Sequence, residues 1–388
     1  MNGKERMRIA LSGGTPDRVP VGFFYNCDYK AKCAGITSQD YIFGTNEDRF
    51  NAMASTFQLH REDWIHSDSG INHDWEKKHK IVWDENKAFV ENLSTGQRDD
   101  IRLDLTLTSA QERSNGPGLD YGYSYIKLNR PLDSIKESVD LRDAQIRSAN
   151  ELIEQGFLDP PRRLVQLYGR DTFITLPMSN LFFNSLVFFG LEEGLIATLT
   201  KPKLFTSLLE MNARQEFEVV RAASMVGLDG IWLAEMLISA DIIPPKIYVD
   251  TIAPLHRQIV TEAHRLGLKA IAYLTGNCLP LLSTARAVSY DGVVVESQDK
   301  SGNRINVEDV RKSLGPDICV FGNLDPIDLL IYGSDEALRQ EVRRQVMVAG
   351  KNGSFVTSSN IISLPVKPEQ INRIIELNLE YGQYPLKG

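Results

Sequence analysis

Short apolar runs alternate with longer segments of helical spacing through the second half of the chain. The apolar runs lie at residues 230–234, 269–274, 292–295, 318–321 and 354–357. Short apolar runs bounded by glycine or polar residues are typical of buried strands, and the segments between them are long enough for crossover helices. The pattern therefore predicts strands that pair in parallel, with a helix between each pair.

The first half of the chain adds three predicted strands, near residues 20, 65 and 174. Eight strands alternating with helices favour a (β/α)8 TIM barrel, an α/β fold that accommodates residues 1–388 as one domain. Two near-repeats support a cyclic arrangement, since residues 227–235 and 289–296 each place Asp-Gly before an apolar strand that ends on glutamate.

The segment from about 74 to 127 departs from this alternation. Residues 80–91 form two alternating runs around Asp84-Glu85-Asn86, which predicts a β-hairpin, and the glycine- and proline-rich residues 114–118 predict a loop. We expect an N-terminal β-hairpin insertion over the barrel rather than a second domain.

Composition and charge narrow the class of protein. The net charge of −8 comes without a basic block that would neutralise phosphates, so a nucleic-acid partner is not expected. No apolar run approaches the roughly 18 residues of a membrane span, and Met1 to Arg8 lack a signal-peptide core. The four cysteines show no paired spacing, which fits a reducing compartment. We therefore expect a cytoplasmic protein that does not enter a membrane.

In a (β/α)8 barrel the carboxyl ends of the strands build the active site. Few residues at the predicted strand ends are basic, whereas a porphyrin tetra-anion or a phosphate would require clustered arginine or lysine. The strand-end residues are Tyr25, Asn26, Cys27, His66, Asp68, Met178, Ser179, Asn180, Glu235, Tyr273, the segment 275–278, Glu296, Asn323, Asp325 and the segment 358–360.

Three carboxylates among these residues are candidates for general acid, general base or metal ligand, namely Asp68, Glu235 and Glu296. A carboxylate that ends an apolar strand is partly desolvated, which raises its pKa toward neutrality. The alternative is a structural carboxylate that caps a helix or pairs with a lysine. His66 and Asp68 are two residues apart in an extended segment, so they share a face.

A metal site and an apolar pocket are further possibilities. Glu235 and His256 could hold zinc if the helix near 246–266 brings His256 to the barrel mouth; otherwise His256 lies at the surface. Cys278, at a predicted helix start where amides lower a thiol pKa, is either a thiolate ligand or a packing residue. Phe182 and Phe183 belong to an aromatic segment that either packs in the core or forms the wall of a substrate pocket.

Several motifs resemble the uroporphyrinogen decarboxylase superfamily. They are the segments 15–21, 243–254, Gly276-Asn277 with Pro280, Gly322-Asn-Leu-Asp-Pro326 and 353–359. The resemblance covers essentially the whole chain and implies a (β/α)8 barrel. It also implies one of two activities: porphyrinogen decarboxylation, or methyl transfer with a corrinoid protein.

Departures from the family motifs separate these two branches. Where the decarboxylases carry Arg-Gln-Ala-Gly-Arg, this chain has Tyr25-Asn-Cys-Asp-Tyr29, and Asn360 lies nearest to their late histidine. Asp68 is similar to their catalytic aspartate. The His-x-Cys-Gly zinc motif of coenzyme M methyltransferases is replaced by Tyr273, Thr275 and Gly276.

O-demethylase methyltransferases are similar to this chain in lacking that motif, and in some of them a Glu-x20-His pair is implicated in zinc binding. Glu235 and His256 have this spacing, although the first glutamate of the longer pattern would fall at Val220.

The resemblance thus favours a methyltransferase that moves a methyl group from a small methylated substrate, such as an aromatic methyl ether, to a cob(I)amide on a separate corrinoid protein. Zinc would be a further cofactor, and the expected substrate-binding residues are Tyr25, Asn26, His66, Phe182, Phe183, Tyr273, Asn277, Asn323 and Asp325. The alternatives are a tetrapyrrole decarboxylase that uses Asp68 and a barrel that binds a corrinoid or tetrapyrrole without catalysis.

Overall fold

The computed structural model describes residues 1–84, 87–101, 146–187 and 191–387. Within these ranges, none of the helices combines the length and the apolar character needed to cross a membrane.

A curled parallel sheet forms the wall of the barrel, and a small antiparallel sheet lies in the insertion. In chain order the strands are β1 (Trp64–His66), β2 (His79–Asp84), β3 (Lys87–Asn92), β4 (Arg98–Ile101), β5 (Phe173–Pro177), β6 (Gly230–Glu235), β7 (Lys269–Leu274), β8 (Gly292–Val295), β9 (Cys319–Phe321) and β10 (Phe355–Val356). The seven strands of the parallel sheet follow the order β1-β5-β6-β7-β8-β9-β10. This sheet, with helices following its strands, confirms the predicted barrel-like α/β fold.

Helices precede the parallel sheet and connect its strands. In the first half of the chain they are α1 (Gly3–Ala10), α2 (Cys27–Ala34), α3 (Ser38–Phe43), α4 (Asn46–His60), α5 (His73–Lys78), α6 (Ala149–Glu154), α7 (Asp159–Tyr168), α8 (Leu181–Val187), α9 (Leu191–Thr200) and α10 (Pro202–Met225). They continue with α11 (Pro245–Ile247), α12 (Ala253–Arg265), α13 (Ala285–Val288), α14 (Val307–Leu314), α15 (Asp335–Ala349) and α16 (Pro368–Tyr381), besides a π-helical turn at Tyr248–Ile252 and a 3₁₀ helix at Leu279–Thr284.

The predicted strand near residue 20 does not form as a regular strand. Val21 makes an isolated parallel bridge to Thr357, and its carbonyl accepts a hydrogen bond from the Asp63 N–H at 3.0 Å. The N–H groups of Val21 and Phe23 donate to the carboxylates of Asp63 and Glu62, both at 2.9 Å, rather than to strand carbonyls. The prediction of a strand here was therefore wrong, and the parallel sheet has seven strands instead of eight. Between residues 18–25 and β1, hydrogen bonds to side chains replace most of the backbone hydrogen bonds that would pair two strands.

The two faces of the parallel strands pack against different partners. Side chains of alternate residues point inward, and these include Trp64, Trp232, Tyr273, Val294 and Phe321, which form one cluster. Met7 and Ala10 of α1, with Leu11 directly after it, join this cluster and close the barrel at the amino ends of the strands. The intervening side chains, such as Ile231, Leu233, Val293 and Val295, pack outward against the helices.

The described part of the insertion forms a small antiparallel sheet, as predicted. Strands β2 and β3 form a hairpin, and β4 pairs with β3. The predicted turn at residues 85–86 and the remainder of the predicted insertion, residues 102–127, lie outside the described residues.

Candidate functional site

Aromatic rings form the floor of the barrel mouth. Phe24, Trp232 and Tyr273 are in mutual contact, with ring centroids 5.7 Å apart for Phe24 and Trp232, 6.5 Å for Phe24 and Tyr273, and 5.7 Å for Trp232 and Tyr273. Below them, Trp64 stacks on Trp232 at 5.2 Å. The floor is therefore continuous and apolar, and a flat apolar ligand at the mouth would pack against these rings.

His66 lies within this aromatic cluster at the end of β1. Its ring is 4.5 Å from Phe24 and 5.1 Å from Trp232, and the residue is 4% exposed. Neither ring nitrogen has a hydrogen-bond partner. Burial and the nearby charge of Lys30 lower the pKa of His66 to about 3. The imidazole is therefore neutral at physiological pH and retains unused hydrogen-bonding capacity.

Asp68 lies beside His66, as predicted, but it is held by other residues. Lys30 donates to Asp68 Oδ2 at 2.6 Å, Tyr41 donates to the same oxygen, and His66 Nδ1 is 4.0 Å from Oδ1. Burial acts to raise the pKa of Asp68, but the Lys30 charge, His66 and the hydrogen bonds from Lys30 and Tyr41 together outweigh it, and the pKa lies below its usual value. The expectation of a raised pKa was wrong here, because the sequence did not reveal the buried lysine.

Glu296 lies on the inward side of the mouth next to Tyr273. The Tyr273 hydroxyl donates to Glu296 Oε1 at 3.2 Å, and the Gly276 N–H donates to Oε2 at 2.7 Å. Lys300 pairs with Oε2 at 3.1 Å. Burial and the Glu296 charge raise the pKa of Tyr273, so its phenol keeps its proton. The side chain of Glu296 remains 17% exposed, so this group connects the floor to solvent.

Glu235 faces the opposite side of the barrel wall. Its Oε2 accepts from the Phe182 N–H at 3.2 Å and its Oε1 lies 3.0 Å from His256 Nε2, with both side chains 2% exposed. Burial raises the pKa of Glu235 even though the hydrogen bond from His256 opposes it. The two residues with Glu-x20-His spacing therefore meet, and the alternative interpretation of His256 as a surface residue was wrong.

Glu235 and His256 form the centre of a polar cluster on the outer side of the barrel wall, called the outer cluster below. A second buried carboxylate, which was not predicted from the sequence, belongs to it. Glu216 of α10 accepts hydrogen bonds from the Ser179 hydroxyl and from its N–H, the latter at 3.1 Å. Burial raises the pKa of Glu216 to about 7, and the Glu235 charge contributes. Glu216 lies one helical turn before Val220, where the family pattern places its first glutamate. Ala213, Val219 and Val220, which lie three or four residues away on the helix, are apolar, so helical spacing could have indicated burial.

Two tyrosines extend the outer cluster beyond His256. The Tyr290 hydroxyl lies 2.5 Å from His256 Nδ1 and 3.2 Å from the Tyr248 hydroxyl. Tyr248 begins the π-helical turn that precedes α12. Across the described ranges, no three His, Cys, Asp or Glu side chains converge as ligands for a metal ion. Catalytic zinc normally takes three protein ligands, and here two are in contact. Zinc at Glu235 and His256 stays a prediction.

Most of the other predicted substrate-binding residues have structural partners. Tyr25 points outward and donates to Glu62 at 2.8 Å, while Asn26 caps α2. Asn323 donates to the Ile305 carbonyl at 2.7 Å, and Asp325 accepts from Ser297 at 2.8 Å.

The remaining candidates lie in helical or loop positions. Phe182 is fully buried and packs on Phe205 at 5.6 Å, behind the sheet, because α8 presents it to α10. Phe183 is partly exposed on the same helix, and the Asn277 N–H donates to Asp241 at 2.7 Å. Cys278 is buried, and burial raises its pKa to about 12, so the expected lowering at a helix start was wrong.

Four residues of the mouth were absent from the predicted substrate site: Phe24, Lys30, Trp232 and Asn360. Trp232 gave no separate signal, because it lies in an unbroken apolar run; the register from β1 through β5 to β6 places it on the same face as His66. Lys30 gave no signal, because a lysine on a short helix is normally exposed.

The chain is similar over its full length to a solved methyltransferase from Methanosarcina mazei. The match has a TM-score of 0.64 and 14% sequence identity, and it covers 98% of this chain and 99% of the other. At this identity the similarity shows a shared fold.

Residues 189–381 match the uroporphyrinogen decarboxylase (URO-D) family model. Two curated uroporphyrinogen decarboxylases match at low identity: one from Geobacter metallireducens with 22% over 183 residues, and one from Trichlorobacter lovleyi with 25% over 178 residues. Each match covers 45% of this chain and 48% of the relative, so the chain spans about half the length of the curated relatives it matches. The family resemblance predicted from the sequence is confirmed.

Proposed function

Because residues 189–381 match the uroporphyrinogen decarboxylase family model, we propose that the chain is a methyltransferase of the corrinoid-dependent type. It would move a methyl group from a small, uncharged methylated compound, such as an aromatic methyl ether, to the cob(I)amide of a partner protein. The full-length similarity to a methyltransferase supports this proposal.

The observation that carries the proposal is the charge balance of the barrel mouth. Lys30 is paired with Asp68, and Lys300 is paired with Glu296. A porphyrinogen with several carboxylates needs cations that are not already neutralised. The aromatic floor of Phe24, Trp232 and Tyr273 instead suits a flat, uncharged ring.

Methyl transfer from an ether breaks the bond between the methyl carbon and oxygen, and the oxygen leaves with a proton. Tyr273 of the floor keeps its phenol proton, and that proton, which Glu296 accepts, would turn to the leaving oxygen when a methyl donor binds. A proton lost from Tyr273 is replaced through Glu296, which has access to solvent. Asp68 is unsuited to this role, since its pKa is lowered in the pair with Lys30.

The partner's corrinoid would supply the nucleophile and receive the methyl group. The residues of this chain would bind and orient the donor on the aromatic floor and exclude water from it. Zinc would add electrophilic activation if Glu235 and His256 held it, but two ligands do not make the usual site, and the roles of Tyr273 and Glu296 do not depend on it.

Methyl transfer is tested by mixing the purified protein with a corrinoid protein kept in the cob(I) state and a set of methylated donors. Formation of the methylated corrinoid, followed by its absorbance, is the expected result, with a loss of about a hundredfold or more in rate for Tyr273→Phe. Metal analysis of the same preparation tests zinc.

Turnover of a porphyrinogen in a parallel assay, without methyl transfer from any donor, would contradict the proposal and favour a decarboxylase that uses Asp68. Tight tetrapyrrole binding without either activity would favour a barrel that binds its ligand without catalysis.

A further inference from the structure

One carboxylate oxygen of Asp241 connects the loops that follow β6, β7 and β8. Asp241 Oδ2 accepts the Asn277 N–H at 2.7 Å, the Ser239 hydroxyl at 2.8 Å and the Lys300 N–H at 3.2 Å. Partial burial acts to raise the pKa of Asp241, but the hydrogen bonds it accepts and the Lys300 charge outweigh this effect, and the pKa lies below its usual value. Asp241 is therefore a charged acceptor at neutral pH, and its hydrogen bonds are of the stronger, charge-assisted kind.

Two of the connected loops carry the groups that hold Glu296. The Gly276 N–H, one residue before Asn277, donates to Glu296 Oε2 at 2.7 Å. The Lys300 ammonium pairs with the same oxygen at 3.1 Å. Asp241 thus anchors the backbone of each partner of Glu296 at that residue or at its neighbour.

The close approach of Asp241 to these loops depends on a glycine. Gly276 has a φ of +54°, and a Cβ atom there would lie 2.6 Å from Ser239 Oγ and 2.8 Å from Asp241 Oδ2. A backbone hydrogen bond from the Ala240 N–H to the Asn277 carbonyl, at 3.0 Å, fixes the same two loops against each other. The turn at Gly276 therefore leaves space for the Asp241 carboxylate where a side chain would fill it.

From this arrangement we propose that Asp241 is a positioning residue for Glu296. The proposal rests on the proposed function, in which Glu296 returns the proton that Tyr273 loses. Asp241 acts through the Gly276 N–H and the Lys300 ammonium, which fix Oε2 of Glu296 and thereby place Oε1 at the Tyr273 hydroxyl. A displacement of about 1 Å in such a group can cost roughly a hundredfold in rate.

Hydrogen exchange of single backbone amides tests this link without a methyl donor or a corrinoid protein. Asp241→Ala should speed exchange of the Gly276 N–H, whose acceptor is Glu296, by about tenfold or more. Asp241→Asn should keep that exchange rate within about threefold, because all three hydrogen bonds end on one oxygen and an amide oxygen can replace it. Asp250→Ala is the matched control, since it removes an exposed carboxylate that pairs with Lys246 in the same connection between β6 and α12, and it should leave the rate unchanged.

Rates of methyl transfer test whether Asp241 acts through Glu296. Asp241→Ala should lower kcat about tenfold to a hundredfold while the KM for the donor stays within about twofold, and Asp241→Asn should recover most of the rate. In a chain that already carries Glu296→Gln, the same Asp241→Ala substitution should cost less than about twofold, because a residue that acts only through Glu296 then has nothing left to position. A purely structural role would lower the rate equally in both backgrounds.

An unchanged exchange rate of the Gly276 N–H in Asp241→Ala would overturn the inference, as would equal losses of rate in the two backgrounds or an equal effect of Asp250→Ala. Undiminished methyl transfer in Asp241→Ala would also overturn it and leave the proposed function standing. Failure of methyl transfer with every donor would contradict the proposed function alone, and the exchange rates would then decide the role of Asp241.

Discussion

Strands β6 and β8 both follow an aspartate and begin with glycine, and each leads to a glutamate, yet the two glutamates face opposite sides of the barrel wall. From Gly230 to Glu235 there are five steps, whereas from Gly292 to Glu296 there are four. Tyr273 of the strand between them pairs with Ala234 on one side and Val294 on the other. Because side chains alternate along a strand, the extra residue in β6 turns Glu235 outward and leaves Glu296 at the mouth.

The two carboxylates therefore have different surroundings and different roles. Glu296 contacts Tyr273, a backbone amide and solvent, as a group that moves protons requires. Glu235 contacts His256 and the start of α8, where it holds helices to the sheet. Substitutions at each position would separate these roles or show that they overlap.

The largest effect is expected from Glu296→Gln. The substitution removes the charge beside Tyr273 and should lower the rate of methyl transfer about 10²- to 10⁴-fold, with little change in the urea midpoint. Glu235→Gln, its matched control, should keep the rate within about tenfold. A larger loss for Glu235→Gln than for Glu296→Gln would move the chemistry to the outer cluster and favour zinc there.

Removing the partner of Glu235 should affect stability instead. His256→Leu removes the side chain that pairs with this buried carboxylate, leaving it the Phe182 N–H, and should lower the free energy of unfolding by about 3–5 kcal/mol. His264→Leu, on the same helix but in a partly exposed pair with Asp291, should cost less than about 1 kcal/mol. The free energies of unfolding would be measured by urea unfolding. Similar decreases in His256→Leu and His264→Leu would show that the buried pair of Glu235 and His256 stabilises the fold no more than the partly exposed pair does.

The second outer carboxylate should make stability fall as pH rises. The folded-state pKa of Glu216 is about 7 against a usual 4.5, so the folded protein binds more protons across that window. This contribution is fully present below the unfolded pKa and is lost as pH rises through the folded pKa, a total change of about 3 kcal/mol. Glu216→Gln should remove it, so the difference in unfolding free energy between variant and wild type should change by about 2–3 kcal/mol between roughly pH 5 and pH 8. A difference that stays constant with pH would show that Glu216 titrates normally.

His66, at the mouth, should have the opposite dependence. Its folded pKa of about 3 lies below the usual 6.5, so the unfolded chain binds more protons between these values and stability is lost as pH falls. At about pH 5 the expected loss is about 2 kcal/mol relative to pH 7. His66→Gln should reduce that loss, and an identical pH dependence in variant and wild type would contradict the lowered pKa.

The sequence predicted the alternation of strands and helices, and therefore the fold class, because apolar runs and helical spacing are local signals. It did not predict which strand residues face inward. Both faces of a parallel barrel strand are buried, so residues such as Ile231 and Trp232 follow one another in an unbroken apolar run. That ambiguity explains why the sequence suggests Glu235 at the mouth and does not single out Trp232.

Contacts between distant segments were also unpredictable. Lys30 and Asp68 are 38 residues apart, and the pKa of Asp68 depends on that contact. The carboxylates of Glu62 and Asp63 changed a predicted strand into a segment held by side chains. Periodicity left open whether Glu235 and His256 meet, and the spacing that suggested their contact came with the family resemblance.

The segment 18–25 is joined to its two neighbours in the barrel wall by different kinds of contact. Elsewhere the ladder of backbone hydrogen bonds fixes each strand, but here two carboxylates and isolated bridges hold the chain. Phe24, a ring of the floor, lies on this segment and is partly exposed. The Phe24 carbonyl accepts from the Ile362 N–H at 2.8 Å, so a redesign of the pocket for larger or smaller donors can change the side chain at position 24 but has to keep this backbone bridge.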